Sequence, residues 1–241
     1  MEDYILIDKT VFFPENGILA IGDLHVGYEH MLKQSGMNVP HTQTKDIINN
    51  FKGIFLKLKE KNYKIKKIVF LGDIKHFFGY EKKEKLALKE VYDFLRQSFS
   101  EQDIIFIKGN HDKFGYFGKK LKNYYVRNGI IFLHGNLKYE KVYEKPIKTV
   151  VMAHLHPSII LSDKKGVKKE KFKCFLIGNY EKKRFIVLPS FLEITDGIAV
   201  NDYREDYSKY SSIIPKEALM KFNVFVIGKD EIYEFGKLEK I

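Results

Sequence analysis

At 241 residues and 28.4 kDa the chain has the size of one generous α/β domain, and 44% hydrophobic with 30% charged residues excludes a disordered tail. No apolar stretch approaches the ~18 residues of a membrane span, Met1-Glu2-Asp3-Tyr4 carries acid where a secretory signal carries base, and the single Cys174 excludes an internal disulfide or a cysteine-based zinc cluster. Forty-two basic against 31 acidic residues give a net charge of +11 and a pI near 9.3, which favours anionic partners. The expectation is a soluble cytoplasmic protein whose metal ligands, if it has any, are His, Asp, Glu or Asn.

In chain order, Gly17 to Ile21 reads as a buried strand that stops at Gly22-Asp23-Leu24-His25. Residues from about 44 to 61 place Ile47, Ile48, Phe51, Phe55 and Leu58 near a helical period, with lysines on the other face. A second strand, Lys67 to Leu71, stops at Gly72-Asp73-Ile74-Lys75-His76. Another helix follows from about 82 to 99 on Leu86, Leu88, Val91, Phe94 and Leu95. Ile104 to Lys108 then stops at Gly109-Asn110-His111-Asp112, Ile130 to Leu133 at His134-Gly135-Asn136, and Thr149 to Ala153 at His154-Leu155-His156-Pro157. Strand alternating with helix predicts right-handed crossovers and a largely parallel sheet, its polar tips converging on one edge.

The last third predicts strands without helices between them, at Phe172 to Ile177, Arg184 to Leu188, Asn223 to Ile227 and Glu231 to Phe235. These suggest a second, mixed or antiparallel sheet packed on the first. Asp163 to Lys173 reads as a surface excursion and Asn201 to Ser212 as a polar loop. No repeat or long linker divides the chain, so a single domain over 1–241 is expected.

Each tip alone is an ordinary turn, because Gly and Asp both suit turns and Asp caps helices. Their coincidence is not ordinary. Two Asp, one Asn and four His can together share two divalent cations if one carboxylate bridges. Imidazole with hard oxygen suits manganese, iron or zinc better than calcium or magnesium. Two carboxylates, Asp23 and Asp73, leave net positive charge that attracts a phosphate, and metals roughly 3.5–4 Å apart activate the water between them.

The order Gly22-Asp23-Leu24-His25, Gly72-Asp73, Gly109-Asn110-His111-Asp112, His134-Gly135 and His154-Leu155-His156 resembles the calcineurin-like metallophosphoesterase superfamily. Its predicted phosphoesterase branch is the nearest likeness, through Asp23 to Glu29 and Gly72 to His76; Ala153 stands where the last motif usually has Gly. The resemblance implies an α/β fold with a two-sheet β-sandwich core flanked by helices in four layers, α-β-β-α. It implies that Asp23, His25 and His156 hold one metal, that Asn110, His134 and His154 hold another, and that Asp73 bridges. Two divalent ions are expected, manganese first, with iron or zinc as alternatives.

The same resemblance makes His111 the catalytic group that assists the leaving alkoxide. Asp112 is either its orienting partner or a cap, and Lys75 and His76 either touch substrate or are plain loop residues. Asn136 is given no role. Phe114, Tyr116 and Phe117 either stack a base or pack in the core. The expected activity is hydrolysis of phosphate esters, diesters ahead of monoesters, by metal-held hydroxide, with DNA or RNA among the substrates. A small-molecule or nucleotide phosphodiesterase stands as the alternative, and a catalytically silent scaffold for partner proteins stands behind both.

Overall fold

The computed structural model describes residues 3–77, 81–163, 168–202, 204 and 213–241. A hairpin of β1 (Ile5–Ile7) and β2 (Thr10–Phe13) leads antiparallel into β3 (Ile18–Ile21). After α1 (Tyr28–Gln34) and α2 (Gln43–Glu60) the chain enters β4 (Lys67–Phe70), then crosses through α3 (Lys82–Arg96) into β5 (Ile104–Phe106). β3, β4 and β5 run parallel, giving a first sheet of order β1-β2-β3-β4-β5.

The second sheet begins with β6 (Tyr124–Arg127), β7 (Ile130–Leu133), β8 (Thr149–Met152), β9 (Pro157–Ser162) and β10 (Lys169–Tyr180). It adds β11 (Lys183–Val187), β12 (Ile198–Ala199), the short α4 (Lys216–Leu219), β13 (Asn223–Ile227) and β14 (Ile232–Lys237). The strand order is β12-β9-β10-β11-β8-β7-β6, with β13 and β14 paired beyond β10.

Period-two alternation sets the layers. In β3, Leu19 and Ile21 face the helices α2 and α3, while Ile18 and Ala20 face the other sheet. β4 and β5 repeat this, with Ile68, Phe70, Ile104 and Phe106 on the helix side and Val69, Leu71, Ile105 and Ile107 between the sheets. From the opposite side Phe132, Val151, Phe175, Ile186 and Leu188 complete the inter-sheet core, with Phe13 edge-on to Phe132 at 5.6 Å. Each such side chain, fully buried, stabilises the fold by about 1.5–3 kcal/mol. The outer face of the second sheet is covered by Val142, Ile213, Leu219, Phe222 and Leu238. The result is four layers, the outermost of them thin in regular helix.

The five strands expected in one parallel sheet are divided between two. β3, β4 and β5 lie in the first sheet, whereas β7 and β8 lie in the second, parallel to each other and to β11. A strand buried on both faces reads as a continuous apolar run and does not reveal its neighbours. A local signal decides β7. Asn128 and Gly129 both have positive φ, 47° and 76°, and fold β6 back on β7.

The piece expected to be a surface excursion is also corrected. From Lys169 it is the start of the 12-residue β10, paired with β9 from Lys169↔Ser162 onward. Its alternating lysines conceal a strand as a charge run. The hairpin β1–β2, the strands β6, β9 and β12, and the short α1 are additions to the expected elements, as is α4, one turn of helix between β12 and β13 where strands alone are expected. The polar loop expected over 201–212 lies mostly outside the described residues.

Candidate metal centre

All five polar tips meet at one end of the sandwich, three from the first sheet and two from the second. The loops after β3 and β4 are zipped together by His25 N–H to Asp73 O at 2.9 Å, Val26 N–H to Ile74 O at 3.0 Å and His76 N–H to Val26 O at 3.0 Å. The tips of β7 and β8 are joined by Ala153 N–H to His134 O at 2.9 Å. Across the two sheets, His154 N–H donates to Asp23 Oδ2 at 3.2 Å.

The backbone is bent to aim these side chains. His25, Asp73, His154 and His156 have φ of 43°, 46°, 68° and 49°, in the left-handed region that side chains other than Gly avoid. Such strain of about 1–3 kcal/mol per residue persists where the surroundings over-determine it, and it concentrates at functional sites. Gly109 permits a close approach between the loops after β4 and β5. A Cβ there would lie 2.1 Å from Asp73 Oδ1.

Two donor groups contain the expected ligands. One atom each of Asp23, His25 and His156 lie within 4.8 Å of one another, as do one atom each of Asp73, His134 and His154; His25, His76 and His111 form a third set within the same distance. Asn110 joins the second group, its Oδ1 3.0 Å from His134 Nε2. Asp73 Oδ2 stands between the groups, 3.8 Å from His25 Nε2 and 3.4 Å from His134 Nε2. His134 Nδ1 sits 2.9 Å from the Leu71 carbonyl; donating there leaves Nε2 to face the centre. His111 Nδ1 likewise lies 2.6 Å from His76 O, and its Nε2 is 4.0 Å from Asp73 Oδ2.

The residues fit divalent cations. Buried Asp23 Oδ1 and His25 Nδ1 have no hydrogen-bond partner among the described residues, which native structures rarely tolerate without an ion or water. Burial would raise the Asp23 carboxyl, yet His156, His134 and His25 hold it well below its usual range. Asp73 is also lowered against its burial, by the hydrogen bond and charge of His134. Burial pushes His25 down to about 3 and His154 to about 4, so both rings are neutral and ready to ligate. His134 goes the other way. Its burial is outweighed by Asp73 and Asp23, which raise it to about 9, so without metal it carries a proton between two carboxylates.

The remaining expected residues fall around this centre. The Asp112 carboxylate, 1% exposed, accepts from Ile74 N–H at 3.2 Å, Gly109 N–H at 3.0 Å and the Tyr116 hydroxyl. It ties the loops after β4 and β5 together, while the His111 ring takes the His76 carbonyl. Lys75 is buried, its ammonium on the Phe77 carbonyl and 3.7 Å from Glu84. His76 remains at the centre, 5.3 Å from the His111 ring and edge-on to Tyr28 at 4.8 Å. Burial and the neighbouring His111 push it down to about 4. Tyr116 and Phe117 pack in the core, Phe117 stacking on Tyr92 at 3.9 Å, and only Phe114 of that trio is exposed.

Three further contacts hold these loops. Gln43 donates to His25 O at 2.8 Å and accepts from Gly27 N–H at 3.0 Å. Glu84 accepts from both His76 N–H and Phe77 N–H at 2.8 Å. Ser190 Oγ and Phe191 N–H both donate to Asp23 O, at 3.2 and 3.0 Å, and Lys173 ties that loop down through the carbonyls of Ser190 and Leu192. Gln43 and Glu84 sit in first helical turns, where polar residues are commonplace, so their burial carries no sequence signal.

The sequence model of the calcineurin-like phosphoesterases matches residues 17–223, a stretch that contains every donor described above. The chain belongs to that family. This calcineurin-like phosphoesterase is accordingly a metal-dependent hydrolase of phosphoester bonds, and the family works with divalent metals. Its fold is shared by nuclease MPE of Pseudomonas putida, with TM-score 0.59 and 17% identity over 96% of this chain and 100% of that one. A single mutant of Vps29 from Entamoeba histolytica aligns with TM-score 0.37 and 17% identity over 90% of each chain. A predicted phosphoesterase of Streptococcus pneumoniae aligns with TM-score 0.35 and 13% identity over 97% of this phosphoesterase and 100% of that chain. No curated protein matches it. Among its described residues no helix is long and apolar enough to cross a membrane.

Proposed function

We propose that this phosphoesterase hydrolyses phosphodiesters at a dinuclear centre, with Asp23, His25 and His156 on one ion, Asn110, His134 and His154 on the other, and Asp73 shared. The observation that carries this is the position of Asp73 Oδ2, within 4 Å of a nitrogen from each donor group. Manganese is the leading ion, since imidazole and hard oxygen are mixed in both groups, with iron and zinc as alternatives. Two such ions supply an activated water and neutralise the phosphate charge.

The chain's own residues do the rest. The His76 carbonyl fixes the His111 ring, whose Nε2–H protonates the leaving oxygen as the phosphorus–oxygen bond breaks. His76, beside it, contacts the phosphate or its leaving group. Asp112 is a positioning residue that sets the spacing of the Asp73 and Asn110 loops. Water enters and an alcohol leaves, so a diester yields a monoester. The lysine excess supports a polyanionic substrate, DNA or RNA, ahead of a small diester. Because donors come from both sheets, residues 1–241 act as one unit. The buried lone Cys174 accords with a reducing compartment, the cytoplasm.

The test is turnover of manganese-loaded protein on bis-p-nitrophenyl phosphate, p-nitrophenyl phosphate, single- and double-stranded DNA and RNA. Diesters turn over faster than the monoester, chelation abolishes the activity and manganese restores it. His111→Ala lowers kcat about 10²–10⁴-fold with metal content retained. A faster monoester overturns the diester reading. No turnover on any substrate, with both ions bound, overturns the enzyme in favour of a scaffold.

A further inference from the structure

Beside the second donor group lies a cavity of about 360 Å³, reached past Asn110 and walled by the loops after β5 and β7. Lys108, Lys113, Asn123, Asn136 and Leu137 line it. Its volume falls in the roughly 300–1,000 Å³ range of small-molecule sites. We infer that this cavity seats the nucleotide adjoining the scissile phosphate of a single-stranded polynucleotide.

The chemistry of the walls is matched to that unit. Lys108 and Lys113 are exposed and put positive charge in the lining. The one acid in the lining is Asp112, whose carboxylate is buried and spent on Ile74 N–H, Gly109 N–H and Tyr116, so it offers a phosphate no open repulsion. Asn123 and Asn136 present amides, donor and acceptor together, as the edges of an unpaired base require. Leu137 is 55% exposed in the loop that follows His134, an apolar contact for the face of a base or sugar. Asn110 belongs at once to the donor group and to the cavity wall, so a phosphate at the metals has its next nucleotide at the cavity mouth. A p-nitrophenyl diester offers the cavity an aryl ring but neither a second phosphate for Lys108 nor a base edge for Asn136. The inference rests on the diesterase reading and gives it a substrate class.

Lys108→Ala with Asn136→Ala is the test, checked for an unchanged melting transition. Anisotropy of a fluorescein-labelled thymidine hexanucleotide on the chelator-treated protein reads the cavity without turnover. Affinity falls about tenfold in the double variant, and the slope of log affinity against log salt drops by about 0.7, one phosphate contact on a single strand. With manganese, the ratio of kcat/KM for the hexanucleotide to that for bis-p-nitrophenyl phosphate falls by a similar factor. Unchanged affinity and slope overturn the assignment. So does thymidine monophosphate competing as well as the hexanucleotide, which makes the cavity a free-nucleotide site. If wild-type protein hydrolyses no diester, the diesterase reading falls, and the anisotropy result still decides the cavity.

Discussion

Removing the Asp112 carboxylate separates a loop-tying role from a relay to His111. Asp112→Ala leaves two buried backbone N–H groups, of Ile74 and Gly109, and the Tyr116 hydroxyl without their acceptor. A buried donor left unsatisfied costs about 1–3 kcal/mol. Removing a carboxyl whose burial raises its pKa returns part of that, so the net loss is about 3–5 kcal/mol. Against a total stability of roughly 5–15 kcal/mol this is a large fraction. Asp112→Asn keeps one acceptor oxygen and costs about 1–2 kcal/mol, while Tyr116→Phe removes a single bond at about 1 kcal/mol. Equilibrium urea unfolding in chelator is the assay, because bound metal would mask the difference by mass action. A loss under about 1 kcal/mol for Asp112→Ala, joined to collapsed turnover, would refute the loop-tying account and restore the relay.

Gly109→Ala forces a Cβ to 2.1 Å from Asp73 Oδ1, so bound metal measured by elemental analysis falls below two ions per chain, whereas Gly53→Ala, with open space on α2, stabilises by about 0.5–1 kcal/mol. The metal-free protein also has a pH signature. His134 is raised from 6.5 to about 9, so its contribution is full below about pH 6.5 and is lost as the pH rises through 9; the melting temperature in chelator declines over that window. Metal loading at pH 7 to 8 displaces that proton, and calorimetry in buffers of different ionisation enthalpy reads about one proton released. A flat melting profile with no proton release contradicts the protonated His134.

The donor types and the helices α2 and α3 were readable from residue pattern, because strong apolar periodicity and polar strand ends are local properties. Their placement was not. Nothing in Ile130 to Leu133 or Thr149 to Ala153 distinguishes a strand of the first sheet from one of the second, since both faces are apolar in either case. Asp163 to Lys173 reads as a surface excursion from its charge, yet Lys173 is turned in to hold the Ser190 loop. Asp112 shows the limit most sharply. Adjacency to His111 suggested a partnership, but the backbone turn carries the carboxylate to Ile74 and Gly109 instead.

Each donor group draws on both halves of the sandwich. An ion seated in either one is therefore a rivet through the seam where the sheets meet. With the two ions proposed above in place, the molecule splays open only after both let go, so protection from proteases should follow metal occupancy even far from the strand tips.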